Sequence, residues 1–552
     1  MCGIVGIVST KNIFNYISNF KKSIKRIKHR GPNHKAFRIG DNYAIGYVRL
    51  AIRGGKNCNQ PMCFKNGFAF GNGENYESEL KNKNDLIGLV ESILNDDDKL
   101  FDFDADFALT ALDINNQKFY LARDRFGVKP LFYTWVDKDT ICFASEVKAI
   151  LTIINTKRPS PKGILDYLIF GYNLNNRTVY DNIYRFPPKC IFEWDLKSGL
   201  KKYKSFDQIS KCEKISFNNV LNKSVNSRLI ADYKIGSHLS GGLDSTMVAF
   251  LANKKQKVMT FTGYRTITDR DFIVAKEFAM LNNFKHKNIF IKSHNNYKQL
   301  IRVLDSPIMS SGAFVQFELA KAIHKCRFKV VLEGQGADEL LLGYKRFTCV
   351  KHIANENEFI DLISNSNIEY MNKLFNINAS KLYLEYFNSY KIDLKGMQKF
   401  YINNFLQELL KIEDHSNMYC SIENRVPFLS KYFERYGADL TKIGKVDLKE
   451  YHDKLKTNIN TDLCKINGNI PAHIELNILL KKFKKLLNKD YLILEKENVL
   501  SSLKNIDKLT KEEAYSLWIL YNVLLWCKIN NFRNIVLNEK DLDYENNFFV
   551  VK

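Results

Sequence analysis

Ser240-Gly241-Gly242-Leu243-Asp244-Ser245 places two hydroxyls, paired glycines and a carboxylate within six residues. An apolar approach, Ile235-Gly236-Ser237-His238-Leu239, runs into this stretch, and helix-like Thr246 to Ala252 follows it. Paired glycines let a backbone come close to a ligand, serines donate hydroxyl and N–H groups, and the start of a helix favours an anion. The chemistry this suits is phosphate binding. Asp244 would repel phosphates unless a cation lay between, and Mg²⁺ is the natural choice. The same residues also make a serine-capped strand-to-helix turn of a kind common in α/β proteins, and spacing alone does not separate the two.

Cys2 is the second chemical feature. Removal of Met1 would leave a thiol and a free α-amine on one residue. That amine has an ordinary pKa of about 7.7–8.0, so near neutrality it can take the thiol proton directly or through water. This is the N-terminal-nucleophile arrangement. Taken alone, a cysteine at position 2 is more often structural than catalytic.

The elements that must position these groups differ along the chain. Strand-like runs at 235–239, 258–263 and 329–332 alternate with helical spacing such as 218–228. That pattern implies a parallel sheet with ligands at the carboxyl ends of its strands. The Gly-rich acidic turn Glu333-Gly334-Gln335-Gly336-Ala337-Asp338-Glu339-Leu340 is therefore expected beside the first loop. Earlier, patches such as Cys190 to Asp195 alternate like late strands of an antiparallel layer. Pro187-Pro188 and the Lys/Ser/Gly-rich 197–205 read as loops, which puts a domain boundary near residue 205. A final stretch from Glu513 onward reads as an amphipathic helix for core packing.

Composition bounds the rest. A chain of 552 residues with 45% hydrophobic residues is globular and long for one core. Eleven cysteines without CxxC pairs argue against a disulfide framework or a zinc site. The net charge of +23 comes from lysines spread along the chain rather than from one basic arm, so no nucleic-acid partner is expected. No apolar run approaches the roughly 18 residues of a membrane span, and the start lacks a signal-peptide pattern, so a cytoplasmic enzyme is expected.

The Ser240–Ser245 loop has no Lys after its glycines and so is not a Walker loop. It resembles the pyrophosphate-binding loop of ATP pyrophosphatases that adenylate a substrate, most closely that of asparagine synthetases. The first 150 residues resemble the class II glutamine amidotransferase domain. The matching pieces are His29-Arg30-Gly31-Pro32-Asn33, Arg49-Leu50-Ala51-Ile52, Gln60-Pro61-Met62, Asn72-Gly73-Glu74-Asn75-Tyr76, Ala122 to Pro130 and Phe143 to Ala149. These resemblances imply an α+β N-terminal-nucleophile domain of layered antiparallel sheets with helices over 1–205. An α/β domain with a parallel sheet, of the ATP-pyrophosphatase type, would follow over 206–552.

They also imply roles. Cys2 would be the glutaminase nucleophile, Arg49 the partner of the glutamine carboxylate, and Asn72 and Gly73 the oxyanion donors. Glu74 and Asp85 would accept the glutamine ammonium, although Asn82-Lys83-Asn84-Asp85 departs from the usual pattern, and Asn75 stands where the family usually has Ile. Arg123 to Pro130 would buttress the domain and its interface. ATP would meet Leu239, Ser240, Gly241, Gly242, Leu243, Asp244, Ser245, Gly263, Glu333 and Gly334. Asp244 and Asp338 would share Mg²⁺. Gln335 stands where many asparagine synthetases have the Glu implicated in handling ammonia, so positioning alone, or a base elsewhere such as Glu333, must serve. Within the signature from Asp414 to Leu429, His415 replaces an Arg, and Ser430 replaces the Asp that follows it. Lys445 is the match to the lysine that stabilises pyrophosphate loss, arriving early in the usual spacing; an exposed helical lysine is the plain alternative.

The implied reaction is glutamine hydrolysis, passage of ammonia through an internal channel and amidation of an adenylated carboxylate. Aspartate is the default acceptor. The same chemistry on a uronic acid or a peptide, and a basic regulatory pseudoenzyme, are the rivals. A homodimer is left open.

Overall fold

In this computed structural model the described residues are 2–77, 84–95, 98–206, 215–292, 296–387, 391–437, 439–455 and 472–537. The first part is built on β1 (Cys2–Ser9), β2 (His34–Ile39), β3 (Tyr43–Arg49), β4 (Met62–Phe64), β5 (Gly67–Asn75) and β6 (Ala105–Asp113). It continues with β7 (Lys118–Arg123), β8 (Phe132–Asp137), β9 (Thr140–Ala144), β10 (Tyr184–Arg185), β11 (Cys190–Asp195) and β12 (Lys201–Ser205). Two sheets result, ordered β10-β8-β9-β1-β3-β2 and β12-β11-β7-β6-β5-β4. Every named pairing in them is antiparallel.

β1 is buried at every position, and its two faces explain why it does not alternate. Ile4 and Val8 pack with Phe70, Phe119 and Leu121 of the second sheet. Val5 and Ile7 pack instead with Phe20 and Ile24 of one helix and Ile150 of another. The helix Ile87–Leu94 covers the far side of the second sheet through Leu89, Val90 and Ile93 against Leu109 and Ala122. The layers are helix, sheet, sheet, helix, the α+β architecture expected.

Residues 201–205 form a strand rather than the expected loop. Alternation decides it: Tyr203 stacks on Phe192 at 4.7 Å and Lys201 lies over the Trp135 ring at 3.8 Å. The Lys-rich composition hid two inward-facing positions.

The second part contains β13 (Ile235–His238), β14 (Met259–Tyr264), β15 (Lys285–Phe290), β16 (Val330–Leu332) and β17 (Glu423–Arg425), ordered β15-β14-β13-β16-β17 and parallel throughout. Helices Phe217–Ser227 and Leu243–Lys255 pack on one face through Leu221, Met247 and Leu251. Helix Ser311–Lys325 packs on the other through Leu319 and Ile323. The helix Lys511–Asn530 opens with a capping box of Thr510 and Glu513 but is not amphipathic. It is buried from Ser516 through Cys527 and lies between helices Ala472–Leu487 and Pro161–Phe170, so it has no solvent face to be polar. Six of the nine described cysteines are buried. Among the described residues no helix is long and apolar enough to cross a membrane.

Candidate active sites

β1 and β5 lie in different sheets, and Cys2 and Asn72 join them: Cys2 N donates to Asn72 Oδ1 at 2.8 Å. With Met1 removed, this nitrogen is the α-amine, so Asn72 holds the amine in place. Asn72 is fully buried and its Nδ2 meets no acceptor. A buried unpaired N–H is costly, and one beside a thiol suits a developing oxyanion. Gly73 is required here because a Cβ would sit 2.2 Å from Asp106 O across the β5–β6 pair. Burial pushes the Cys2 thiol up, opposed by nearby positive charge including Arg49 and by the Leu50 N–H.

Arg49 pairs with Cys2 in the β1–β3 register. Its guanidinium donates to the carbonyls of Gly55 and Arg53 and to Asn59 Oδ1, all neutral acceptors, so its charge is available to a ligand carboxylate. Glu74 is buried, and burial followed by the neighbouring Asp85 charge raises its pKa to about 8. Asp85 is pushed up chiefly by burial and accepts from Asn75 N at 2.8 Å. Asp85 thus lies close enough for its charge to act on Glu74, while Asn82 and Lys83 lie outside the described residues. Asn75 itself has local work: its Oδ1 accepts from Glu77 N at 3.1 Å.

The second site lies at the carboxyl ends of β13 and β16. Gly241 has φ 77°, and a Cβ there would meet Asp271 O at 2.3 Å. Ser245 Oγ closes the loop on Ser240, accepting from its N at 3.1 Å and meeting its Oγ at 2.9 Å. A Cβ on Gly334 would lie 2.7 Å from Ser245 N, so the two Gly-rich turns touch as the parallel topology requires. Leu239 N donates to Phe261 O, and Gly263 sits near Val315 and Ile291 at the end of the next strand.

Lys445 completes this site. Its Nζ lies 2.8 and 2.6 Å from the two Asp244 oxygens and 2.6 Å from Asp338 Oδ1. It is neither helical nor exposed: it precedes the helix Val446–Leu455 and is buried. Gly444 and Lys445 have φ of 93° and 61°, a strained choice for lysine that turns its side chain inward. Gly343 permits the approach, since a Cβ there would be 2.1 Å from Asp338 Oδ1 and 2.2 Å from Lys445 Cε. Two carboxylates sharing one cation make the donor set fit Mg²⁺. Among the described residues no cluster of three or more His, Cys, Asp or Glu could hold a metal alone, so phosphate oxygens would supply further ligands.

Glu333 is buried after β16. Its Oε1 accepts from Asn417 Nδ2 at 2.8 Å and Gln316 Nε2 at 3.0 Å and lies 3.4 Å from His238 Nδ1. Burial holds the His238 pKa down. Gln335 is half-buried on the turn, whose next residue, Gly336 at φ 92°, leaves no room for a Cβ against Leu429.

Residues 1–204 match the glutamine amidotransferase domain family and residues 216–441 match the asparagine synthase family. The chain thus joins a glutamine amidotransferase domain to an asparagine synthase domain. It is 26% identical over 504 residues to asparagine synthetase 2 of Bacillus subtilis (strain 168), covering 78% of this chain and 65% of that protein, just under two thirds of its length. It is 26% identical over 530 residues to putative asparagine synthetase 1 of Methanocaldococcus jannaschii, covering 88% of this chain and 89% of that one. A third relative, at 25% identity over 63% of this chain and 60% of its own, is named amidase chry2, from Gibberella zeae.

Departures from the family pattern have physical explanations in part. Ser430 caps the helix Lys431–Tyr436, accepting from Phe433 N, a role serine fills about as well as aspartate. His415 is buried with its ring edge against Phe132 and its Nδ1 3.4 Å from Asp414. The Asp124 carboxylate accepts from the N–H groups of Phe126, Val128 and Lys129, which shapes the 123–130 turn, and Phe126 O accepts from Gln407 of the synthetase part. Sequence reasoning did not single out Arg30, His238 or Gly343; Arg30 stood inside the quoted His29–Asn33 motif, which was the available signal.

Proposed function

We propose that this chain hydrolyses glutamine at Cys2 and uses the released ammonia to amidate a carboxylate adenylated by ATP, with aspartate as the default acceptor. The division of labour falls near residue 205. The observation that carries the reading is the convergence of Lys445 with Asp244 and Asp338, because it sets a cation at the meeting point of two Gly-rich turns.

In the first half-reaction the α-amine, held by Asn72 Oδ1, takes the Cys2 proton. The sulfur attacks the glutamine amide while Asn72 Nδ2 and Gly73 N–H stabilise the oxyanion. Arg49 pairs with the glutamine carboxylate and Glu74 and Asp85 with its ammonium. Ammonia leaves and water releases glutamate from the thioester. In the second, Ser240 to Ser245 hold the β- and γ-phosphates, and the acceptor carboxylate displaces pyrophosphate, whose charge Lys445 offsets. Asp244 and Asp338 would hold Mg²⁺, which supplies charge neutralisation on phosphate oxygens. Ammonia then displaces AMP.

A second reading, the same chemistry on a uronic acid or a peptide, is favoured by Gln335 and by the relative named an amidase. Incubation with amide-labelled ¹⁵N-glutamine, ATP and candidate acids, followed by mass spectrometry, tests both. Labelled asparagine with AMP and pyrophosphate supports the first. Labelled amide on another acid alone supports the second, and no labelled amide defeats both.

A further inference from the structure

Arg265 follows β14 by one residue and so stands at the same sheet edge as the phosphate loop, one strand away. Its main chain is fixed: Asp269 Oδ2 accepts from Arg265 N at 2.9 Å and Thr266 N at 3.0 Å. That turn opens the helix Arg270–Leu281, and Asp271 O in its first turn is the atom Gly241 packs against.

The side chain is fixed at one corner only. Nη1 donates to Glu475 Oε1 at 3.0 Å, and Tyr297 OH holds Glu475 Oε2 at 2.7 Å. The guanidinium lies 5.8 Å from the centre of the Phe314 ring. Nε and Nη2, in contrast, are both buried and have no acceptor. Their N–H bonds point the same way, and this edge of a guanidinium matches the two oxygens of a carboxylate. Two adjacent buried donors without partners are unfavourable in the free protein, and each becomes a gain when a ligand supplies oxygens. The phosphates already have the helix start after Gly242 and the Lys445 ammonium, which leaves the Arg265 fork for a different acid group.

We propose that the Nε–Nη2 edge of Arg265 binds a carboxylate of the acceptor other than the one adenylated, so that the acceptor is a dicarboxylic acid. This rests on the amidation reading and deepens it. Arg265 then sets specificity without taking part in bond changes, and a sugar or peptide bearing one acid group would leave the fork empty.

The test compares aspartate with β-alanine, which is aspartate lacking the α-carboxylate, in acid-dependent pyrophosphate release by the full chain. The parent should prefer aspartate in kcat/KM by about 100-fold or more, as expected when a built hydrogen-bond site is left unfilled by an analogue. Arg265→Met should remove most of that preference by lowering kcat/KM for aspartate alone. Arg265→Lys, which keeps the charge but not the fork, should recover only part of it. The KM for ATP and glutamine hydrolysis should stay within about threefold of the parent, and an unchanged melting temperature excludes loss of fold. An equal fall for both acids, a raised KM for ATP, or a parent that does not prefer aspartate would each overturn the proposal. Absence of acid-dependent pyrophosphate release by the parent would overturn the amidation reading and this inference with it.

Discussion

Arg30 and Asp414 are 384 positions apart and form a two-pronged ion pair, Nη1 to Oδ2 at 2.7 Å and Nη2 to Oδ1 at 3.0 Å. Arg30 Nε also donates to Cys2 O at 3.1 Å. Asp414 sits three residues before Asn417, on the helix Leu406–Tyr419, and Asn417 bonds Glu333. One buried guanidinium thus ties the nucleophile's own carbonyl to the helix that supports the second site. The pair keeps the Asp414 pKa at about 2 even though burial acts upward.

Asp414→Ala leaves Arg30 with Glu146, 3.0 Å away, as its remaining carboxylate. Removing one partner of a buried pair costs about 3–5 kcal/mol, and the lower part of that range is expected here. Urea unfolding should show the loss. Because the link to Cys2 is broken, the ratio of amide formed to glutamine hydrolysed should fall as well. An unchanged ratio in a folded variant would remove Arg30 from any coupling role.

Cys2→Ala should abolish glutamine hydrolysis while ammonium-supported amide synthesis survives, since the second site holds none of the thiol's chemistry. Hydrolysis at the parent rate would defeat the nucleophile assignment.

Asp244→Asn and Asp338→Asn each take one carboxylate from the place where Lys445 Nζ sits. Each should lower Mg²⁺-dependent pyrophosphate release by at least ~100-fold and leave basal glutamine hydrolysis. Parent-rate release by both variants would count decisively against a shared cation site.

How much of this was legible depends on whether a residue's role is local. The parallel strands and the Gly-rich turns were readable because apolar runs and glycines act through neighbouring backbone. Lys445 was legible only through the family resemblance, because in a Lys-rich chain its type carries little information; what fixes its position is the left-handed turn at Gly444 and the bare Cα of Gly343 a hundred residues away. Strand Lys201–Ser205 was missed since composition outweighed its alternation, and helix Lys511–Asn530 was read as two-faced since its polar residues are few and its neighbours unknown. Arg30 and Arg265 depend on partners 384 and 210 positions distant, which spacing cannot show.

The raised pKa of Glu74, at about 8, has two consequences. Between roughly pH 4.5 and 8 the folded protein keeps a proton that the unfolded chain has released. Stability therefore falls as pH rises through that window, by up to ~1.4 kcal/mol per unit, and levels off above it. Glu74→Gln should remove this slope from urea midpoints measured between pH 5 and 9. Glutamine binding, which needs the ionised carboxylate for the substrate ammonium, should tighten over the same range. Calorimetry on the Cys2→Ala protein isolates that binding from catalysis. A binding constant flat from pH 6 to 9 would show that Glu74 does not titrate there.

Gln335 offers the sharpest test of how ammonia is handled. Ammonium in solution near pH 7 is almost wholly protonated, and an amide side chain cannot accept its proton. Ammonia released at Cys2 and delivered internally arrives unprotonated, so a base at the second site is needed less. Glutamine should therefore support synthesis much better than ammonium salts at neutral pH, with the gap narrowing as pH rises. Gln335→Glu should preferentially improve the ammonium-driven reaction by supplying a carboxylate that accepts or orients the proton. If Gln335 instead hydrogen-bonds the acceptor acid, a carboxylate there repels it and both reactions fall together. Initial rates with each nitrogen source, for parent and variant from pH 6.5 to 9, separate the two. Equal losses with both sources would place Gln335 on the acceptor rather than on the ammonia.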